Sequence, residues 1–506
     1  MTTATTLVLD GKHLTLDIIR DWERQPRPVA LAESSVHAMN ASVNRVREVV
    51  ARGEVSYGIN TGFGAMATKV VDCEQLTNLQ YNLVRSHACG VGEALPENIV
   101  RRIMLLKANS LAAGLSGIRP LVVETLLAFL NKGVTPVIPG KGSVGASGDL
   151  APLAHLGLAL IGEGEALYEG KLIEGNAVLR AAGTEVVRLE SKEGLAILNG
   201  TQPSTALSME GLFRADILLA SAVIVGALSV EALAASYTPF DPRIHAARGQ
   251  RGQRRVAEHF RRLLTSSEIR DDHRDCGRVQ DPYSLRCMPQ VMGAVYDALE
   301  HARQVLQAEA NGVSDNPLIF DDDILSGGNF HAQPIALVSD FMAIALTDHA
   351  SMSERRTDLM MRKVNPKLNM FLANEPGLES GFMLAHVTAA ALASENKVLS
   401  HPASVDSIST SAGQEDHVSM APAAGHKLIE ICKNTSRILA IEALAAARGI
   451  DMERPLNSTE RLEAVHAALR QHVPATSTDH RMDRDIAAVA AFIESGGLLP
   501  YLIKIE

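Results

Sequence analysis

From about residue 112 onward the chain is dominated by long stretches with helical periodicity, near 203–237, 334–361, 380–400 and 421–448. Another, Val291, Val295, Leu299, Ala302 and Val305, repeats apolar side chains every three or four residues, which lines them along one helix face. Helices of that length bury their apolar stripes against one another, so they confine the chain to a mainly α fold built as a long-helix bundle. Composition agrees: 46% of residues are hydrophobic but only 4% aromatic, a balance that favours helix over sheet. At 506 residues the chain exceeds one ordinary core. Residues 1–111 read as a smaller mixed region, with strand-like segments at 7–9 and 55–57 and helical stretches near 33–52 and 74–86. Residues 112–506 read as the helical domain, its last long helix stopped by Gly449 as a C-terminal cap. Long polar loops at 265–289 and 401–420 separate the helices, and loops that long in a compact helical protein carry function.

Charge removes several classes of partner. Lys plus Arg is 48 and Asp plus Glu is 58, a net −10 with no basic stripe, so nucleic acid has no electrostatic footprint. The five cysteines, Cys73, Cys89, Cys276, Cys287 and Cys432, are odd in number and form no metal-type pair. They read as buried free thiols of a reducing compartment, with no metal site. The N-terminus has no basic start or apolar run of signal length, and the apolar stretch 217–230 falls short of the ~18–20 residues that span a bilayer. The expectation is a cytoplasmic chain with no membrane partner, and a buried bundle helix at 217–230.

Residues 140–151 read Gly-Lys-Gly-Ser-Val-Gly-Ala-Ser-Gly-Asp-Leu-Ala and contain the tripeptide Ala146-Ser147-Gly148. Small residues in a glycine-lined turn let the Gly148 nitrogen approach the Ala146 carbonyl carbon. Ring closure with loss of water, then loss of the Ser147 hydroxyl as a second water, leaves a methylidene on an imidazolone. No ordinary side chain is an electrophile of that kind. Plainer readings compete, the first of them a glycine-rich turn with no chemistry. Gly140-x-Gly142-x-x-Gly145 matches a dinucleotide fingerprint, with Glu163 or Glu165 roughly 20 residues on, but Pro136 and Pro139 precede it and no βαβ alternation surrounds it. A phosphate-binding P-loop fails because Gly142 follows Lys141 where Ser or Thr is needed.

Other loops carry polar clusters: Tyr57 to Gly64, Ser86-His87, Asn199 to Gln202, Gln280 to Cys287, Asn329 to His331 and Gln414 to His417. Taken singly, each has a structural explanation as a cap, a turn or an ion pair. Together, in this order and spacing, the segments from about Tyr57 to Ala447 resemble the histidine branch of the aromatic amino acid ammonia-lyase family. The resemblance is carried by 142–155, by Asp-Pro-Tyr-Ser-Leu-Arg-Cys at 281–287 and by Gln-Glu-Asp-His-Val-Ser-Met at 414–420.

The resemblance implies non-oxidative deamination of L-histidine to trans-urocanate. It implies a fumarase/aspartase-like helix bundle, and a homotetramer whose sites each draw loops from three chains. It implies a methylidene-imidazolone cofactor made from Ala146, Ser147 and Gly148, with no external one. Whether the amine or the imidazole of the substrate meets it stays open. Tyr57 is placed as the base for the β-proton, which needs help because a free tyrosine has a pKa near ~10. Arg286 becomes the carboxylate clamp, its planar fork matching two oxygens. Asn199 bonds that carboxylate and the ring carbonyl, while Tyr283 and Gln280 lie near the electrophile. Phe330 compresses the tripeptide, and His87 belongs to the substrate pocket. Glu415 decides between substrates: a carboxylate there accepts an imidazole N–H, whereas a phenyl ring would leave it desolvated. Phenylalanine and tyrosine lyases, or an aminomutase, on the same scaffold are the alternative. The chain also ends at Glu506 without the C-terminal insertion of plant and fungal phenylalanine lyases, which fits the histidine branch.

Overall fold

The structure, a computed structural model, describes residues 6–273, 277–476 and 478–503, so Cys276 lies outside the described residues. Helices make up most of it, and the strands form only two- and three-stranded sheets. The chain divides into two compact units of discontinuous sequence. The first holds residues up to Glu210, Arg303–Ser339 and Pro402–His426; the second holds Gly211–Ala302, Asp340–His401 and Lys427–Glu506. Unit boundaries fall inside the long helices Gln202–Ala232, Met288–Glu309, Gln333–Met361 and Ala421–Glu453, and position 111/112 falls at the end of helix Glu97–Ala112 inside the first unit.

In the first unit, strand Leu7–Leu9 pairs in parallel with Val29–Leu31. Helix Glu97–Ala112 is buried from Arg102 to Ala112, so its polar side chains must find partners inside the protein. Arg102 Nε donates to Glu23 at 2.6 Å and its Nη2 to Glu210 at 3.0 Å. Asn109 Nδ2 donates to the Ala310 carbonyl at 2.9 Å, and Lys107 Nζ to the Asn199 carbonyl at 2.6 Å. Helix Leu150–Leu160 begins directly after the tripeptide turn.

The second unit is organised around buried carboxylates. Glu442 accepts from Arg356 Nη2 at 2.8 Å and from Ser229 Oγ at 2.6 Å, and neither member of the ion pair meets solvent. Glu231 accepts from Ser458 at 2.7 Å and Ser267 at 2.5 Å, and also from the Tyr237 hydroxyl. Burial is the largest influence on Glu231 and raises its pKa despite these donors.

Several sequence expectations change. Residues 55 and 56 are irregular and a turn begins at Tyr57, in place of a strand, because the segment leads into the left-handed Gly58. The helix expected over 203–237 ends at Ala232, where Ala234 adopts φ +47° and the Ala235 N–H returns to the Val230 carbonyl, a left-handed C-terminal cap made without glycine. Gly449 caps nothing: helix Ala421–Glu453 runs through it. A Cβ at 449 would lie 2.7 Å from that of Ala232, so Gly449 is a helix-contact glycine. The helical remainder includes a small sheet, Thr135–Pro136, Glu165–Tyr168 and Lys171–Glu174. Cys73 and Cys89 are exposed and Cys287 half-buried; only Cys432 of the described cysteines is the buried thiol expected. Helices Gln202–Ala232 and Gln333–Met361 are long and apolar enough to cross a membrane by length and composition, and 78% and 67% of their apolar windows are buried inside the protein.

Candidate active site

The tripeptide sits in a backbone fold that permits no side chain at 148. Gly148 has φ +74°, and a Cβ there would lie 2.5 Å from both the nitrogen and the oxygen of Gly200. Ala146 and Gly148 bridge each other, which folds the three residues back on themselves. The Asp149 N–H donates to the Gly200 carbonyl at 2.8 Å. The Asp149 carboxylate takes Ser143 Oγ at 2.7 Å, Ser204 N–H at 2.8 Å and Ser204 Oγ at 3.0 Å. Burial still dominates and raises its pKa. On the other side, Ser419 Oγ donates to the Gly145 carbonyl at 2.8 Å and the Met420 N–H to the Val144 carbonyl at 2.8 Å.

The turn opens into a cavity of about 1080 Å3, lined entirely by the first unit. Tyr57, His87, Ala146, Ser147, Asn199, Phe330 and Glu415 all line it. Asn199 Nδ2 donates to the Ser147 carbonyl at 2.7 Å, while its buried Oδ1 has no hydrogen-bond partner among the described residues. Ser147 Oγ donates to Glu415 Oε1 at 2.6 Å. The other carboxylate oxygen, Oε2, accepts from Thr410 Oγ1 at 2.6 Å and Ser411 Oγ at 2.8 Å. Partial burial pushes the Glu415 pKa up, but the three hydroxyl donors and nearby His87 outweigh it, and the net shift is downward. Burial lowers the His87 pKa, against the opposing influences of the Leu83 carbonyl and Glu415. His87 Nδ1 lies 2.9 Å from the Leu83 carbonyl, which can only accept, so in the neutral ring Nδ1 holds the proton and Nε2 the lone pair. The Gly64 N–H points at Tyr57 Oη from 3.4 Å.

A family model described as aromatic amino acid lyase matches residues 14–471. The histidine ammonia-lyase of Salmonella arizonae is 53% identical over 495 residues, 97% of this chain and 98% of that protein. This chain belongs to the aromatic amino acid lyase family. The crystal structure of histidine ammonia-lyase from Trypanosoma cruzi matches with TM-score 0.90 at 39% identity, covering 99% of this chain and 96% of that one. That of tyrosine aminomutase from Streptomyces globisporus matches with TM-score 0.92 at 36% identity, covering 99% and 100%. The lyase scaffold therefore serves more than one aromatic amino acid, and side chains must choose among them.

For an aromatic amino acid lyase, the cavity gathers seven of the residues singled out from sequence, and Gly148 lies beside them in the turn. Gln280, Tyr283 and Arg286 are not among its lining residues and belong to the second unit. There, Arg286 Nε donates to the Asp281 carbonyl at 2.9 Å, its Nη2 to Gln280 Oε1 at 3.2 Å, and its guanidinium lies 4.5 Å from the Tyr283 ring centroid. Tyr283 is 69% exposed. The dinucleotide alternative loses its context: strand Pro139–Lys141 pairs antiparallel with Val91–Ala94, with no βαβ unit around it.

Sequence reasoning missed the supports. Lys107 is fully buried behind Asn199 and pushed down to about 7 by desolvation, with Asp315 opposing the shift and Lys192 adding to it. A lysine in a helix normally reads as surface. Thr410 and Ser411 were anonymous members of a polar loop. Asp149 follows the tripeptide directly, and an acid placed there to be buried was the one available signal.

Proposed function

We propose that this chain removes ammonia from L-histidine to give trans-urocanate, using an electrophile made from its own Ala146, Ser147 and Gly148 and no external cofactor. One observation carries the reading: Ser147 is held at its carbonyl by Asn199 and at its hydroxyl by Glu415, inside the cavity. Condensation of the Gly148 nitrogen on the Ala146 carbonyl carbon expels that oxygen as water. Loss of Ser147 Oγ with the Cα hydrogen expels a second water. The residues present fit the product, because the Ser147 carbonyl becomes the ring carbonyl and already has its donor in Asn199 Nδ2. When formed, the group supplies an electrophilic methylidene carbon that none of the twenty side chains offers.

The chain's own residues do the rest. Glu415, kept ionised by its hydroxyl donors, accepts the imidazole N–H and orients the ring. A phenyl ring in its place leaves the cavity-facing oxygen of the half-buried carboxylate without a donor, which is why histidine is preferred. Tyr57 takes the β-proton, and the Gly64 N–H is aimed at its oxygen and helps to orient it. The second hydrogen on Asn199 Nδ2 and the guanidinium of Arg286 hold the substrate carboxylate. Tyr283 moves a proton beside the electrophile with Gln280 next to it, and Phe330 presses the tripeptide from the cavity side. His87 offers its Nε2 lone pair to the pocket.

The assembly this requires is a homotetramer in the cytoplasm, each site completed by Gln280, Tyr283 and Arg286 of other copies. The exposed apolar side chains of Leu384 and Val387, one turn apart on helix Met383–Leu399, support burial between subunits. Incubation of the purified chain with L-histidine tests the activity: urocanate absorbance should grow rapidly, with L-tyrosine and L-phenylalanine turned over slowly. The reverse ranking would reassign the substrate to a tyrosine or phenylalanine lyase or an aminomutase.

A further inference from the structure

Thr410 and Glu415 close a turn on themselves. The Thr410 N–H donates to the Glu415 carbonyl at 2.9 Å and the Glu415 N–H to the Thr410 carbonyl at 3.4 Å. Between them Ser411, Ala412 and Gly413 adopt φ +52°, +56° and +83° in succession. Two consecutive non-glycine residues in the left-handed region are held there only when surrounding structure enforces it, and such strain concentrates where a side chain must be aimed. The turn packs against the short helical turn Gly64–Met66, which ends the loop carrying Tyr57.

The product of that strain is an asymmetric carboxylate. Oε2 of Glu415 is taken by the two hydroxyls of Thr410 and Ser411, at 2.6 and 2.8 Å. Oε1 has one donor, Ser147 Oγ, and that hydroxyl is the one lost as water when the electrophile forms. Afterwards Oε1 faces the cavity with its lone pairs free, in an orientation set by the other oxygen. We propose that Thr410 and Ser411 are positioning residues for substrate choice: they commit one oxygen of Glu415 so that the other meets an N–H on the ring of the amino acid. This rests on the histidine reading above. A glutamate has three rotatable bonds, and without the two donors its carboxylate can turn away from a substrate or draw water into the pocket. The other titratable groups lining the cavity around it are Tyr57, His87 and His331, with Asp416 and His417 on its own loop; the donors to Oε2 are the two hydroxyls of Thr410 and Ser411.

The test uses the purified full-length chain, its Thr410→Val/Ser411→Ala double variant, and Thr410→Ser, which restores a hydroxyl. Product inhibition by trans-urocanate is compared with inhibition by trans-cinnamate, which has no ring N–H. In the double variant the urocanate inhibition constant should rise about tenfold to a hundredfold, the effect of losing donors to a charged group. The cinnamate constant should stay within about twofold, and Thr410→Ser should remain within about threefold of the parent, on the same scale. The two-water mass loss in the 142–150 peptide should persist, showing that the turn still forms. Equal weakening of both inhibitors, or no weakening of urocanate, would overturn the proposal, as would a Thr410→Ser variant no better than the double variant. Failure of the histidine reading shows separately, in a parent chain that forms the electrophile yet does not turn over L-histidine.

Discussion

Glu415 is pulled two ways: burial favours its neutral form, while Ser147, Thr410, Ser411 and the nearby His87 favour the charged one and prevail. A carboxyl whose folded pKa is depressed gives stability present above its unfolded value and lost as pH falls through the folded value. Glu415 therefore stays ionised below its ordinary 4.5, and urocanate binding should persist to lower pH in the parent than in Thr410→Val/Ser411→Ala. Titrating the inhibition constant of each protein against pH checks the order. Glu415→Gln keeps the shape but removes the charge, and kcat/KM for L-histidine should fall by about two to three orders of magnitude. Tyr57→Phe should lower kcat by about 10²–10⁴ while leaving the two-water mass loss intact, since the phenol acts on the substrate and not on the turn. Ser147, Tyr57 and Glu415 were legible in the sequence because they sit in unusual motifs. Lys107, Thr410 and Ser411 were not, because their roles come from partners distant in sequence or from a strained turn: Lys107 matters only beside the Asn199 carbonyl, 92 positions away.

Periodicity identified the long helices, but their ends were decided by packing. Ala234 takes up the left-handed conformation expected of a glycine, and Gly449, which looked like a stop, is where helix Ala421–Glu453 lies close to Ala232. The turn leading into helix Leu150–Leu160 makes a stricter demand. Gly148→Ala adds a Cβ onto the Gly200 backbone at a positive φ, so the variant should fold without making the electrophile, and its 142–150 peptide should keep full mass. In the second unit, Arg356→Met leaves Glu442 charged and buried without its cation, and Ser229 and Ser353 alone cannot neutralise it. Removing one partner of such a pair costs about 3–5 kcal/mol, so thermal unfolding should shift down by several degrees. An unchanged melting curve would contradict the view that this buried pair helps hold the second unit together.

A contrast between a mixed N-terminal region and a helical remainder was readable along the chain. The compact units were not, because each gathers segments far apart in sequence and their boundaries lie inside continuous helices. The same separation bears on the site. The cavity is lined by the first unit, and Gln280, Tyr283 and Arg286 are absent from that lining. Under the proposed completion of sites between copies, Tyr57→Phe and Tyr283→Phe chains should each be strongly impaired alone and regain part of the activity when produced together. No recovery in verified mixed tetramers would place both tyrosines of a site on one chain. All of this depends on whether the backbone at Ala146, Ser147 and Gly148 becomes an electrophile. Peptide mass spectrometry of the purified protein across residues 142–150 tests that most directly. The segment should be lighter than its sequence by two waters, and by one at most in Ser147→Ala, which has no hydroxyl to lose. A wild-type segment of full mass, in protein that still deaminates L-histidine, would contradict the proposed chemistry outright.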